Sequence, residues 1–196
     1  MIQFTCTKCD ICTANNYTPL IGDGNLNANI MFVTKNPSTF EIKNNVPLVD
    51  KSGLLFQKYL DLFNFSRDIV YITNCVKCKT PSNRLPTDRE IYNCREYLEQ
   101  EIKEVNPKII MLLGNTAIRS YFKLAYSVLG ITAEELNANY MIHDNKIIVF
   151  SIHPINGLYY PEARKALFNS FITLVKLYKI INPGHTTNIL SEEYNK

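Results

Sequence analysis

Cysteines at short, repeated spacing are the residues of this sequence best suited to metal chemistry. The 196-residue chain has six of them: Cys6, Cys9, Cys12, Cys75, Cys78 and Cys94. They form three C-x-x-C pairs, and the short turn within such a pair lets both thiolates reach one metal ion. The spacing alone is equally compatible with a zinc ion and with an iron–sulfur cluster. A cysteine that binds no metal would be a small buried side chain, which suits Cys75 because it directly follows an apolar segment.

A second group of polar residues stands directly behind apolar segments. These residues are Lys35-Asn36-Pro37, Asn74, Gly114-Asn115 and His153-Pro154. An amide side chain donates and accepts hydrogen bonds side by side, and a histidine can change its protonation state near neutral pH. If the apolar segments are parallel strands, their carboxyl ends meet at the edge where open α/β sheets bind ligands. The pattern therefore predicts a site in which two of these amides, those of Asn36 and Asn74, meet a histidine, His153.

The apolar segments themselves are short, rich in β-branched residues and almost continuously hydrophobic, as strands buried on both faces are. They cover Asn29–Thr34, Ile69–Thr73, Lys108–Leu113 and Ile147–Ile152. Their alternation with helical patterns predicts a three-layer α/β/α sandwich with a four-stranded, mainly parallel central sheet. A hairpin over Met141–Phe150 would add a short antiparallel piece.

Four segments have the apolar periodicity of helices, three of them between the strands and one after the last strand. One runs from Leu54 to Phe63, and a second runs from Ile91 to Ile102 behind the capping box Thr87-Asp88-Arg89-Glu90. Two more are predicted over Thr116–Val128 and Pro161–Ile181.

The composition is that of a soluble globular protein, with 46% hydrophobic and 20% charged residues. We expect a cytoplasmic chain, because no apolar run reaches the roughly 18 residues of a membrane span and the sequence MIQFTCTKCD does not have the pattern of a signal peptide. The net charge of +3 is compatible with a polyanionic partner but does not identify one. The length predicts one domain over residues 1–181, followed by a loose polar tail over residues 182–196.

The most distinctive motif is the segment Tyr71–Cys78, which reads YITNCVKC and precedes two prolines, an Asn-Arg pair and Cys94. This arrangement resembles the iron–sulfur (family 4) uracil-DNA glycosylases. Further similarities follow in the family's order: Cys6-x-x-Cys9, Gly22-x-Gly24, Pro47, Ser52-Gly53-Leu54-Leu55, Pro107-Lys108-Ile109-Ile110, Leu113-Gly114, Ala117 and His153-Pro154. The resemblance therefore covers most of the chain.

For the cysteines, the resemblance implies a [4Fe–4S] cluster held by Cys6, Cys9, Cys78 and Cys94. Its role would be structural, since it would pin the N-terminal arm to the loop and helix after the second strand. Cys12 has no counterpart in this set. Zinc on the same four thiolates is the alternative.

Two departures from the family pattern lie in the predicted site. Lys35 stands where family 4 has its catalytic glutamate, and Asn36 precedes the proline as in the mismatch-specific and single-strand-selective branches of the superfamily. Leu48 stands where family 4 has a phenylalanine that stacks on the base, and Asp50 replaces a glycine. Leu48 and Asp50 are therefore predicted to contact the base, although Leu48 could equally pack in the core and Asp50 could cap a helix.

These similarities imply a role for each polar residue in breaking an N-glycosidic bond. Asn36 would position the attacking water through its amide oxygen, and His153 would donate a hydrogen bond to the departing base. Asn74 would read the edge of the base.

Contacts to DNA are expected as well. Lys35 would contact a phosphate, and Leu158 or Tyr159 would fill the gap left by the flipped nucleotide. Each of these side chains could instead be an ordinary surface residue.

The sequence therefore predicts a monomeric, monofunctional DNA glycosylase that excises a pyrimidine in repair or in defence against foreign DNA. Because of Leu48 and Asp50, a substituted pyrimidine such as a modified cytosine is expected to be a better substrate than uracil. Two alternatives stay open: a catalytically inactive DNA-binding protein of the same fold, and a zinc-stabilised interaction domain.

Overall fold

A computed structural model of the protein describes residues 6–14, 19–124, 130 and 132–188. The strands are β1 (Asp23–Gly24), β2 (Ile30–Thr34), β3 (Val70–Asn74), β4 (Ile109–Leu113), β5 (Tyr140–His143) and β6 (Lys146–Ser151). The helices are α1 (Asp10–Ala14), α2 (Thr39–Asn44), α3 (Lys51–Leu62), α4 (Asp88–Val105), α5 (Asn115–Phe122), α6 (Ala133–Leu136), α7 (Asn156–Tyr159) and α8 (Pro161–Ile181). A 3₁₀ turn covers Pro81–Asn83. No helix within these ranges is long and apolar enough to cross a membrane.

All six strands form one sheet in the order β1-β3-β2-β4-β6-β5. The four central strands are parallel, with Ile30 of β2 opposite both Val70 and Ile109. β5 pairs antiparallel with β6 and β1 pairs antiparallel with β3. The four predicted parallel strands and the predicted hairpin are thus confirmed, but the sheet has six strands rather than four.

The central strands carry apolar side chains on both faces, and helices cover both faces of the sheet. Along β2, Ile30 and Phe32 pack toward α3 and α8, whereas Met31 and Val33 pack toward α4 and α5. On the first face, Phe32 meets Phe56 edge-to-face with ring centroids 4.9 Å apart. Two separate apolar cores result, which confirms the predicted three layers.

The helix limits follow local sequence signals closely. α4 begins at the predicted capping box, in which Thr87 and Glu90 cap each other's backbone N–H groups. α8 has the predicted limits. α5 ends at Phe122 because Lys123 adopts a left-handed conformation, with φ of 60°; residues 125–128 of the predicted helix lie outside the described residues.

The first residues of the predicted tail pack against the body of the protein. The ring of His185 stacks on Phe65 at 4.6 Å between centroids, and the backbone N–H of Asn188 donates to the carbonyl of Leu62. Residues 182–188 are therefore attached near the end of α3, and residues 189–196 of the tail lie outside the described residues.

A buried ion pair joins the N-terminal segment to the sheet and to α4. Lys77 and Glu101 are both fully buried and paired with each other. Glu101 also accepts hydrogen bonds from the Thr73 hydroxyl at 2.6 Å and from the Gly22 backbone N–H at 2.9 Å. One carboxylate thus holds three separate parts of the chain, which compensates for its removal from water.

Candidate active site at the carboxyl ends of the strands

A cavity of about 380 Å³ lies at the carboxyl ends of β2 and β3. It is lined by the six pocket residues that the sequence predicted: Lys35, Asn36, Leu48, Asp50, Asn74 and His153. They come from four loops or strand ends that are far apart in sequence. The parallel sheet brings them together because its strands end at the same edge.

Asn36 presents its amide oxygen without a partner among the described residues. Its Nδ2 donates to the Pro37 carbonyl at 3.2 Å and to the Thr80 hydroxyl at 3.3 Å. Its Oδ1 is buried and makes no hydrogen bond to a described residue. These two donated bonds fix the side chain with its acceptor unused, as a residue that orients a water molecule requires.

Asn74 is the most buried polar side chain of the cavity, with 1% of its surface exposed. Within the described part of the chain, neither its Oδ1 nor its Nδ2 has a hydrogen-bond partner. Leaving a buried polar group unpaired costs about 1–3 kcal/mol. A ligand that offers a donor and an acceptor side by side would recover this free energy.

His153 is held in a defined neutral form. Its Nδ1 accepts the backbone N–H of Ile155 at 3.1 Å, and its Nε2 lies 2.8 Å from the hydroxyl oxygen of Thr34. Burial, together with the positive charge of Lys35, lowers the pKa of His153 to about 3, although Asp50 opposes the shift. The neutral ring therefore carries its proton on Nε2 and donates from there.

Leu48 and Asp50 each have a second function that limits what they can do in the cavity. Leu48 is 2% exposed, belongs to the core beneath α3 and has a left-handed backbone with φ of 54°. Asp50 is the N-cap of α3, where its Oδ1 accepts the backbone N–H groups of Ser52 and Gly53 at 2.9 and 3.1 Å. Contact of Asp50 with a ligand is therefore left mainly to Oδ2.

Glu41 is an acidic residue of the cavity that the sequence analysis did not predict as a site residue. Burial raises the pKa of its carboxyl, and the charge of Asp50 adds to this effect, while the backbone N–H of Ser38 opposes it. Ser38 and Glu41 form a capping box at the start of α2. The S-x-x-E spacing was the signal that would have placed Glu41 at this position.

A smaller cavity of about 180 Å³ adjoins the first and shares Lys35, His153 and Ile155 with it. Its other lining residues include Gly114 and Asn115, the remaining strand-end residues of the sequence analysis. The site thus has two compartments that share Lys35, His153 and Ile155 in their walls.

Leu158 and Tyr159 do not line either of these two cavities. Both lie in α7, which starts three residues after His153, and the Tyr159 side chain is 71% exposed. The structure therefore places them on the surface beside the site rather than within it.

The backbone that carries Lys35 and Asn36 is bonded to the segment that follows β3. The carbonyl of Thr34 accepts the N–H of Cys75 at 2.8 Å, and the carbonyl of Lys35 accepts the N–H of Val76 at 2.9 Å and the Cys75 thiol at 3.1 Å. Cys75 is buried in the core, which raises its pKa to about 12. Its contacts are those of a structural residue.

The other five cysteines lie together where α1 meets the loop before α4. Ile11, Cys12 and Cys78 form a small buried cluster, with Cys6 and Cys9 packed against it. Burial raises the pKa of Cys78, and the neighbouring Cys12, Cys94 and Cys6 add to the shift.

Cys94 completes this thiol group. Burial raises its pKa to about 11, and proximity to Cys9 and Cys6 contributes.

Within the described ranges no three Cys, His, Asp or Glu side chains are placed so as to hold a metal ion. The donor set is nevertheless one of soft sulfur ligands, which suits iron–sulfur clusters and zinc. The Cys12 thiol donates to the Cys6 carbonyl at 2.7 Å.

Comparison with known proteins agrees with this arrangement. The sequence profile of the uracil DNA glycosylase superfamily matches residues 21–176. The chain is 37% identical to the type-4 uracil-DNA glycosylase of Sulfurisphaera tokodaii, an alignment that covers 85% of this chain and 77% of the relative. It is 33% identical to the type-4 enzyme of Archaeoglobus fulgidus, with 85% of each chain covered. The Saccharolobus solfataricus type-4 enzyme is 34% identical over 85% of this chain and 78% of its own.

Proposed function

The chain belongs to the uracil-DNA glycosylase superfamily and is a DNA glycosylase, and from that premise we propose how its cavity excises a pyrimidine. The single observation that carries the proposal is the buried amide of Asn74, which has no partner in the described part of the chain and lies in the same cavity as Asn36 and His153. A flipped pyrimidine offers a donor and an acceptor on one edge, which an asparagine amide can pair with.

Asn36 supplies the position of the nucleophile. Its free Oδ1 accepts a hydrogen bond from a water molecule, whose oxygen then attacks C1′ of the flipped nucleotide. An amide is a weak base, so its contribution is orientation rather than proton abstraction. The bond between C1′ and the base nitrogen breaks with its electron pair remaining on the base, while the water oxygen bonds to C1′ and releases a proton to solvent.

His153 stabilises the charge that accumulates on the departing base. A neutral imidazole that donates from Nε2 can hydrogen-bond an anionic base oxygen without surrendering its proton. Thr34 occupies the Nε2 direction and keeps the ring oriented until the base arrives. Losing one such donor typically costs about 10²–10³ in rate.

Lys35 replaces a carboxylate with a cation at the edge of this cavity. Its side chain lines both compartments, where a positive charge attracts the phosphates that flank a flipped nucleotide. In this proposal, the exposed Tyr159 or the neighbouring Leu158 fills the gap that the flipped nucleotide leaves in the base stack.

The thiols of Cys6, Cys9, Cys78 and Cys94 hold a [4Fe–4S] cluster in this proposal. Their grouping joins α1 to the loop before α4. When bound, the cluster supplies structural cross-linking. In this proposal the nucleotide is contacted by other residues of the chain and not by the cysteines.

For the preferred base, we propose a pyrimidine larger than uracil, such as a modified cytosine. The adjoining compartment of about 180 Å³ supports this choice, because it could receive a substituent of the base. The second oxygen of Asp50 could accept a hydrogen bond from a hydroxyl or amino group that uracil lacks. At position 48 itself, the core-packed and aliphatic Leu48 provides no aromatic surface for the base.

The test is excision from matched duplexes that contain uracil or modified cytosines, followed by alkaline cleavage of abasic sites. We expect strand breaks with at least one of these substrates and faster breakage with a modified cytosine. Efficient excision of uracil with modified cytosines untouched would contradict the substrate assignment but not the enzyme class. Binding of every duplex without any abasic product would instead support the inactive DNA-binding alternative.

A further inference from the structure

The cavity has one benzene ring in its wall, and it comes from a residue without an assigned role. Among the described lining residues, Phe40 alone carries such a ring. The side chain is 55% exposed although phenylalanine gains free energy from burial. An exposed phenylalanine elsewhere on a surface is ordinary, but here it borders the cavity that takes the base.

The backbone around Phe40 is firmly fixed. α2 begins at the Ser38–Glu41 capping box and ends at Asn45, which has a left-handed backbone with φ of 54°. Glu41 is buried, and the Asn44 side chain donates to the Phe40 carbonyl at 2.7 Å. The ring therefore projects from a short helix whose two ends are both capped.

Leu48 cannot provide a stacking surface in this pocket. It is aliphatic, and its backbone conformation is fixed by Arg67, whose guanidinium donates to the Leu48 carbonyl at 2.7 Å. A flipped base is held by hydrogen bonds to its edge and by stacking on its face. Asn74 can satisfy the edge, so a second group is needed for the face.

We infer that Phe40 is the stacking residue for the flipped base and that it sets substrate affinity in place of the residue at position 48. This inference rests on the proposed function. The half-exposed ring is covered when the nucleotide enters, which offsets part of the cost of flipping. Because every base has a flat π face, stacking on Phe40 tolerates substituents at the rim of the pyrimidine.

The experiment compares Phe40→Leu with Phe40→Tyr and Phe40→Trp, on the best substrate of the wild-type protein. Leucine keeps apolar contact but removes the ring, so we expect kcat/KM to fall on the order of 10-fold through KM. Tyrosine and tryptophan should retain most of the activity. Binding to a duplex with a non-hydrolysable 2′-fluoro nucleotide should weaken in the same order, which separates stacking from chemistry.

Tyr92→Ala provides the matched control, because Tyr92 is a similarly exposed aromatic residue on α4 that does not line the cavity. This variant should leave both kcat/KM and the affinity for the 2′-fluoro duplex unchanged. Wild-type affinity and kcat/KM in Phe40→Leu would overturn the inference while leaving the proposed function intact. An inactive wild-type protein would instead refute the proposed function, and the binding measurement would still report on Phe40.

Discussion

The Nε2 atom of His153 lies 2.8 Å from the hydroxyl oxygen of Thr34, so the last residue of β2 orients the ring that follows β6. The opposite ring nitrogen accepts the backbone N–H of Ile155. Both nitrogens are thereby assigned, one as donor and one as acceptor, before any substrate binds. The His153 ring is therefore held in its neutral form, with Nε2 as the donor, in the absence of substrate.

The protonation of His153 gives a prediction about stability. Its pKa is about 3 in the folded protein against 6.5 for an unperturbed histidine, so between these pH values the unfolded chain binds more protons. The His153 contribution is therefore fully present above pH 6.5 and declines as the pH falls, by up to about 1.4 kcal/mol per pH unit. Denaturant unfolding from pH 4 to 8 should show a shallower decline in His153→Gln than in wild type.

Lys35→Met is the companion to that measurement. Because the charge of Lys35 helps to lower the His153 pKa, its removal should raise that pKa, which histidine-selective NMR titration can follow. An unchanged titration would show that the two residues are not coupled.

Asn36→Ala and His153→Ala should each reduce single-turnover excision by about 10²-fold or more, by analogy with the removal of one transition-state donor. DNA binding should be largely retained, because neither residue contributes charge. Asn36→Asp is the informative contrast, since it keeps an oxygen acceptor at the same position. Near wild-type rates in both alanine variants would refute the mechanism.

Replacing Cys6, Cys9, Cys78 or Cys94 by serine should remove iron and sulfide from the purified protein, together with the absorbance near 400 nm of an iron–sulfur centre. Cys75→Ser should keep both, because its thiol bonds the Lys35 carbonyl in the core. We expect Cys12→Ser to keep them as well. A complete cluster in Cys78→Ser would contradict the ligand assignment, and bound zinc without iron would favour the alternative metal.

Lys77→Met should destabilise the fold by about 3–5 kcal/mol, because it leaves the buried Glu101 carboxylate without its cation. The double variant Lys77→Met/Glu101→Gln should lose less than the sum of the two single losses. Urea unfolding of all four proteins measures the coupling. Strict additivity would show that the pair does not interact energetically.

The sequence could predict the layered fold because strands buried on both faces have an almost continuous apolar pattern. β1 escaped prediction because Asp23 and Gly24 carry no such pattern, and Gly24 reaches the sheet with φ of 119° beside the Val70 carbonyl. Lys35, Asn36, Asn74 and His153 were found because they stand at or just after the carboxyl ends of strands, which meet at one edge of the sheet. Leu48 and Asp50, which precede α3, were found through the family resemblance instead.

The finer properties of the site depend on tertiary contacts that a sequence pattern does not contain. Asp50 could be predicted either as a helix cap or as a pocket residue, and the structure gives it both positions at once. From the sequence alone, Glu41 would be a charged side chain in solvent. In the structure it is buried, and its carboxylate accepts the backbone N–H of Ser38 at 2.6 Å. The exposure of the Phe40 side chain likewise depends on the position of α2 beside the cavity, which the sequence pattern does not specify.

The backbone bonds between Lys35 and the Cys75-Val76 segment have a consequence for how this position can evolve. Since the Lys35 carbonyl is secured by two donors of that segment, the conformation of the loop does not depend on the side chain at position 35. Either a glutamate or a lysine at position 35 would therefore leave the backbone of Asn36 in the same place. Position 35 is a point where the electrostatic character of the enzyme can diverge without rebuilding its scaffold.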